Sequence, residues 1–282
     1  MSRLGVVMLQ HGTANTGFTL SVPLIELDQV CYEADGQPLI DRISWTLLAG
    51  ESWAVLGPNG AGKTLLLRMV AGKLWPNAGG EIRRQGRTLV DLRTLSRRIG
   101  WVSGKMIADI PVDEPAIDTV VSGRFAQLGL KPVEWDKPVP KDYDDAAKIL
   151  TVLKCDELAT RQFGVLSQGE QQKILLARAM IIDPLAIILD EPCSSLDPGS
   201  REQFLDTLQT LLQNRDAPSV ILVTHHVEEI VPGLENLLVL HRGRIVKQGK
   251  TADVLNPETL AVIYGRQPQQ LIENRGRYWP IW

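Results

Sequence analysis

The apolar positions fall into short runs separated by turn residues, and their period changes along the chain. Residues 23–32 alternate, with Leu24, Ile25, Leu27 and Val30 apolar, as a half-buried edge strand requires. Asp35-Gly36-Gln37-Pro38 is a turn, and 39–48, carrying Ile40, Ile43, Trp45 and Leu47, predicts a second, antiparallel strand. Ser52-Trp53-Ala54-Val55-Leu56 reads as a buried strand, and Leu65-Leu66-Leu67-Arg68-Met69-Val70-Ala71 as a helix. Pro76-Asn77-Ala78-Gly79-Gly80 is a turn, 81–90 predicts another hairpin, and 98–103 returns to a buried strand. Further buried strands are expected at 185–189 and 219–224, and a closing hairpin from Leu237-Leu238-Val239-Leu240 through Arg242-Gly243 to Arg244-Ile245-Val246. Strands alternating with helices predict an α/β fold with a mostly parallel sheet, preceded by an antiparallel β subdomain. Residues 105–161 break the pattern. They hold prolines at 111, 115, 132, 138 and 140, the acids Asp142, Asp144 and Asp145, and helical patterns around 116–128 and 142–153. The stretch reads as a mostly helical insertion with exposed loops.

Composition adds limits. The 282 residues suit one large domain or a domain with a subdomain, and 44% hydrophobic with 22% charged residues is ordinary for a globular chain. A net charge of −3 gives no basic field to argue for nucleic acid. No apolar run approaches the roughly 20 residues that span a bilayer. Residues 1–22, with Arg3 and a short apolar patch from Leu4 to Leu9, read as a loose extension rather than a signal peptide. Cys31, Cys155 and Cys193 are far apart and lack metal-ligand spacing, which favours a reducing compartment.

The chemistry concentrates in a few stretches. Gly57-Pro58-Asn59-Gly60-Ala61-Gly62-Lys63-Thr64 fits the phosphate-loop pattern and sits between a strand and a helix, the context that pattern demands. Its glycines let successive N–H groups converge on one concavity, and the helix N-terminus adds positive potential behind a bound phosphate. Lys63 would reach the β- and γ-phosphates, and the Thr64 hydroxyl would ligate Mg²⁺. The apolar run 185–189 delivers Asp190 and Glu191 at its end, where ligands of open α/β sheets sit. A Mg²⁺ on phosphates needs an acidic ligand and a hydrolytic water needs a base. Ser167, with Glu170 three residues on, is a capping-box N-terminus for the helix that follows. Asp197-Pro198 opens another helix. His225 and His226 end the strand 219–224; they read either as a surface pair or, for one of them, as a γ-phosphate contact. Tyr32 reads either as a strand-end aromatic on the core or as a ring that stacks on a base. Arg275, Arg277, Tyr278, Trp279 and Trp282 lie in a tail expected to be mobile.

Taken in order, five motifs resemble those of the ATP-binding-cassette (ABC) ATPases. They are the phosphate loop, Leu166-Ser167-Gln168-Gly169-Glu170 as the signature, the acidic strand ending at Glu191, the Ser195-Leu196-Asp197 loop, and His225 as the switch histidine. The resemblance covers residues 24–249, most of the chain. It implies a P-loop NTPase core over 23–250 with a helical subdomain at about 105–165, an N-terminal extension at 1–22 and a C-terminal tail at 251–282. It implies ATP and Mg²⁺ as ligands. Gly57, Asn59, Gly60, Ala61, Gly62, Lys63, Thr64, Tyr32 and Asp197 are then ATP-binding, and Ser167 and Gly169 touch the nucleotide of a partner. Thr64 and Asp190 hold the metal; Glu191, His225 and Lys63 are catalytic. The implied partners are a second copy, meeting the first head to tail, and a membrane permease, which puts the chain in the cytoplasm, peripheral on the cytoplasmic face of the cell membrane.

Two departures stand out. The family signature is usually Leu-Ser-Gly-Gly-Gln; here Glu170 sets a carboxylate near an anionic ligand, which weakens closure unless it turns away. The family glutamine after strand 99–102 is also missing, and its register falls on Ser103-Gly104. Ser103 is the candidate substitute as a small oxygen ligand to the metal; unusual coupling or turnover is the alternative. These features resemble the molybdate-type transport ATPases and their photorepair-named relatives. A soluble ABC ATPase acting on nucleic acid or ribosomes is the competing reading, against which stand one phosphate loop, no cysteine pairs and no long heptad run.

Overall fold

The computed structural model describes residues 22–282 apart from 90, 92–94, 96, 97, 132, 134–136 and 215. The extension read over 1–22 therefore lies, save for its last residue, outside the described residues.

The chain opens with β1 (Ile25–Ala34) and β2 (Gln37–Leu47), paired antiparallel. Then come β3 (Ser52–Leu56), α1 (Lys63–Val70), β4 (Glu81–Arg84) and β5 (Ile99–Ser103). The first sheet has the order β2-β1-β4, so β1 is central and not the edge strand its alternation suggests. Its neighbour β4 is only four residues long, too short to announce itself as a partner in the sequence. The hairpin expected over 81–90 is that single strand followed by a tight turn, closed by a bridge between Arg84 and Arg87. Arg84 is buried, and its guanidinium donates to the carbonyls of Met69 and Val70 at the end of α1. This ties the small sheet to the helix behind the phosphate loop.

The insertion holds α2 (Ala116–Ser122) and α3 (Pro140–Val152), which pack on α4 (Gln168–Met180). After it come β6 (Ala186–Asp190), α5 (Pro198–Leu212), β7 (Ser219–Thr224), β8 (Asn236–His241) and β9 (Arg244–Lys250). The main sheet has the order β5-β6-β7-β3-β8-β9, parallel except for β9.

Both faces of this sheet are covered, which explains its unbroken apolar runs. Ala54, Leu56, Ile187, Leu189, Val220, Leu222, Leu237 and Val239 join the helical insertion, α4 and α5 in one core. Their neighbours Trp53, Val55, Ala186, Ile188, Ile221, Val223, Leu238 and Leu240 join α1 and the antiparallel sheet in the other. Successive residues of each strand serve opposite layers, as the pleat requires.

The C-terminal segment is folded, against the expectation of a mobile tail. Short α6 (Thr251–Val254) and α7 (Pro257–Tyr264) lead to a hairpin of β10 (Gln270–Asn274) and β11 (Arg277–Ile281). Val254, Leu255, Leu260 and Ile263 enter the first core, and Leu271 and Tyr278 pack against it. Spread over two short helices and two strands, these contacts show no single strong period in the sequence.

Candidate nucleotide site

Four parallel strands end at one place. Cα register aligns Ser103 with Asp190 and Asp190 with Val223, while Thr224 is level with Leu56, the residue before the glycine loop. The carboxyl ends of β5, β6, β7 and β3 thus deliver Ser103, Asp190-Glu191, His225 and the loop 57–64 side by side.

The loop's shape has causes. A Cβ at Gly57 would lie 2.2 Å from the Leu240 carbonyl oxygen, so only glycine fits there. Gly62, at φ +99°, caps α1 without any side chain, and a Cβ there would press on Ile40. No acid stands in the first turn of α1, so its free N–H groups and positive end are left for an anion. Lys63 is 5% exposed and donates to the Gly57 carbonyl at 2.8 Å and the Pro58 carbonyl at 3.1 Å.

Thr64, Ser103, Gly104, Lys105, Asp190, Glu191, Ser194 and Ser195 line one cleft of about 270 Å³. The Thr64 hydroxyl donates to Asp190 Oδ1 at 3.2 Å. Burial raises the Asp190 pKa, and Glu191 adds to that, against the Thr64 hydrogen bond and the charges of Lys105 and Lys63. Glu191 sits at φ +49°, a strained backbone for a residue with a side chain. Its Oε1 lies 3.3 Å from Lys63 Nζ and 3.4 Å from His225 Nδ1. One carboxylate oxygen therefore faces both Lys63 and His225. A groove of about 520 Å³ shares Thr64, Ser103, Lys105 and Asp190 and runs on past Arg68, Trp101, Met106, Leu128 and Arg178.

The Ser103 hydroxyl lines the cleft but accepts a hydrogen bond from the Lys105 amide at 3.4 Å. Lys105 was not singled out from the sequence, although two residues beyond a strand end is a position worth testing. Tyr32 is half-buried against the second core; its register partner Ile40 touches Gly62 from behind the loop. Ser167 and Gly169 stand at the N-terminus of α4, outside the lining of the cleft. There Ser167 Oγ accepts from the Glu170 amide at 3.3 Å, and Glu170 Oε2 accepts from the Ser167 amide at 2.7 Å. Asp197 caps α5, accepting from the amides of Gly199 and Ser200 and from the Ser200 hydroxyl.

The family model for ABC transporters matches residues 40–194. The chain belongs to the ABC transporter family. Similar proteins include the ABC transporter ATP-binding protein YlmA of Bacillus subtilis, of uncharacterised role, 33% identical over 257 residues, which are 90% of this chain and 95% of that one. The manganese transport system ATP-binding protein MntB of Bacillus subtilis is 30% identical, with 86% and 92% covered. Among solved structures, a chain of an ABC transporter in an inward-facing conformation superposes with a TM-score of 0.75 and 26% identity, over 92% of this chain and 98% of that one. The fold is that of a P-loop ABC ATPase, with its antiparallel β subdomain and helices. The chain is the ATP-binding, ATP-hydrolysing component of an ABC transporter. Among the described residues, no helix is long and apolar enough to cross a membrane.

Proposed function

We propose that this ATPase powers solute movement through a separate membrane permease, by closure and reopening of a head-to-tail dimer around ATP. The observation that carries the reading is the convergence of Lys63, Asp190, Glu191 and His225 at the ends of adjacent parallel strands. In this reading residues 23–250 form the ATPase domain, with the helical subdomain at about 105–165.

Gly57, Asn59, Gly60, Ala61 and Gly62 offer backbone N–H groups to the phosphates, and Lys63 turns from its own loop carbonyls to the β- and γ-phosphates. Tyr32 supports the adenine. Glu191 accepts a proton from the attacking water, held in line by its strained backbone and the neighbouring histidine. His225 contacts the γ-phosphate. Ser167 and Gly169 present the N-terminus of α4 to the partner's nucleotide, with Asp197 beside them holding its own loop through the cap. Phosphoryl transfer asks mainly for positioning and charge neutralisation, which these groups supply.

The oxygens of Thr64 and Asp190, 3.2 Å apart, with the Ser103 hydroxyl in the same cleft, are hard donors suited to Mg²⁺. Among the described residues no three His, Cys, Asp or Glu side chains form a cage of their own, which fits an ion that relies on waters and phosphate for its remaining ligands. When bound, Mg²⁺ neutralises developing charge on the phosphates.

The groove between β5 and the helical layer supports docking of a permease segment on the cytoplasmic face of a membrane. The Val102-Ser103 pair and the Ser-Gln-Gly-Glu signature support the molybdate-type or photorepair-named subgroup; manganese, transported by the system of the relative MntB, is the competing cargo class. The test is a mild-detergent pull-down of the tagged protein from native membranes, read by mass spectrometry. A multi-span permease in stoichiometric amount is expected; ribosomal or DNA-repair proteins without a permease would overturn the transport reading.

A further inference from the structure

The segment after β7 carries His225, and two residues of the C-terminal region grip it. The Tyr264 hydroxyl, at the last residue of α7, donates to the His225 carbonyl at 2.7 Å. The Arg277 guanidinium, on β11, donates to the Glu228 carbonyl from Nε at 3.2 Å and from Nη2 at 2.6 Å. Both grips are themselves anchored. Tyr264 has Leu260 and Ile263 of its own helix buried behind it, and Trp282 meets its ring edge-on at 5.4 Å and 83°. Arg277 also forms a two-pronged ion pair with Glu202 on α5.

The His225 carbonyl lies beyond the last paired residue of β7, so the sheet ladder no longer serves it. Its peptide plane sets the direction of the ring that meets Glu191. A tyrosine is a stiff reach for such a task, with few torsions to freeze. Burial raises the Tyr264 pKa, so the phenol stays a donor throughout the working pH range. The remaining bracing is local: Thr224 Oγ1 accepts from the His226 amide at 2.9 Å and donates to buried Glu229. That bracing holds the bend after β7 but leaves the His225 carbonyl to Tyr264.

We infer that the C-terminal region is a clamp on the switch segment, with Tyr264 a positioning residue for His225 in ATP hydrolysis. The inference rests on the reading of His225 as the γ-phosphate contact. It assigns a task to residues that the sequence presented as a loose tail.

The experiment is single-turnover hydrolysis of radiolabelled ATP by the full chain, which follows rates several decades below wild type. The variants are Tyr264→Phe, His225→Ala and the double substitution. Removing one hydroxyl leaves the ring packing in place, so Tyr264→Phe lowers the melting temperature by no more than about 4 °C and keeps the ATP affinity, while the hydrolysis rate falls about tenfold, as misplacement of a reacting group does. In the His225→Ala background the same change costs nothing further, because the group it positions is gone. A tenfold loss that persists in that background would mark Tyr264 as merely structural, and a wild-type rate for Tyr264→Phe beside an impaired His225→Ala would end the clamp alone. A wild-type rate for His225→Ala would overturn the reading of His225 and the clamp with it.

Discussion

Asp190 and Glu191 are neighbours in sequence and differ in what holds them. Asp190 ends a buried strand with one hydrogen bond, from Thr64, and burial outweighs it, so its carboxyl pKa is raised. A raised acid lowers stability once it ionises. The cost is absent below its ordinary value of 3.8, grows as pH rises through that value, and is full above the raised one. Asp190→Asn therefore makes the nucleotide-free chain more stable near neutrality by about 1 kcal/mol, roughly 2–4 °C in melting temperature for a domain of this size, while hydrolysis is lost. Calorimetry across pH checks this: the gain should vanish in acid, and a gain that survives there would point to packing instead of charge. The pair itself was legible, because a buried apolar run has no reason of its own to end in two carboxylates. The positive φ of Glu191, which aims it at Lys63 and His225, was not, since no local residue pattern encodes it.

At the scale of elements, α4 shows how a departure from the family pattern is absorbed. Glu170 was read as a hazard to phosphate binding unless it turned away. It turns back into its own cap, bonded to the Ser167 amide and paired with Arg161 at 3.1 Å. Burial alone would raise its pKa, but the Ser167 hydrogen bonds and the Arg161 charge bring it below the ordinary value. A lowered acid contributes stability that is present above 4.5 and is lost as pH falls through the lower folded value. Glu170→Gln should then cost about 0.5–1 kcal/mol near neutrality, a figure kept small by solvent screening. Urea titrations from about pH 7 down to about pH 3 should bring wild type and variant together at the acid end; an unchanged gap would mean that packing, not charge, separates them. The capping box was visible as a three-residue spacing, whereas Arg161 was not, because it belongs to the preceding loop. The same divide governs the strands. Runs of one element were readable, but the central place of β1 depended on β4, and the order of the tail depended on contacts with α5 and the switch segment.

On the proposed reading the whole molecule holds two half-sites that do not meet within one chain. The cleft of Thr64, Asp190 and Glu191 is lined by strand ends and the glycine loop, while Ser167 and Gly169 stand at the start of α4, outside that lining. A single nucleotide can be served by both only if a second copy supplies the other half, and two copies related head to tail supply two such sites. In the proposed cycle hydrolysis reopens the pair, so removing the base without changing the shape should trap it closed. Glu191→Gln keeps the side-chain volume and drops the charge that faces Lys63 and His225. With Mg-ATP, light scattering should find this variant at twice 31.2 kDa, and at 31.2 kDa with Mg-ADP. Adding Ser167→Ala to Glu191→Gln should return the mass to that of one chain, because the N-terminus proposed to seat the partner's phosphate loses its hydroxyl. A variant that stays monomeric in Mg-ATP at concentrations that saturate the site would sink the head-to-tail sandwich for the isolated chain.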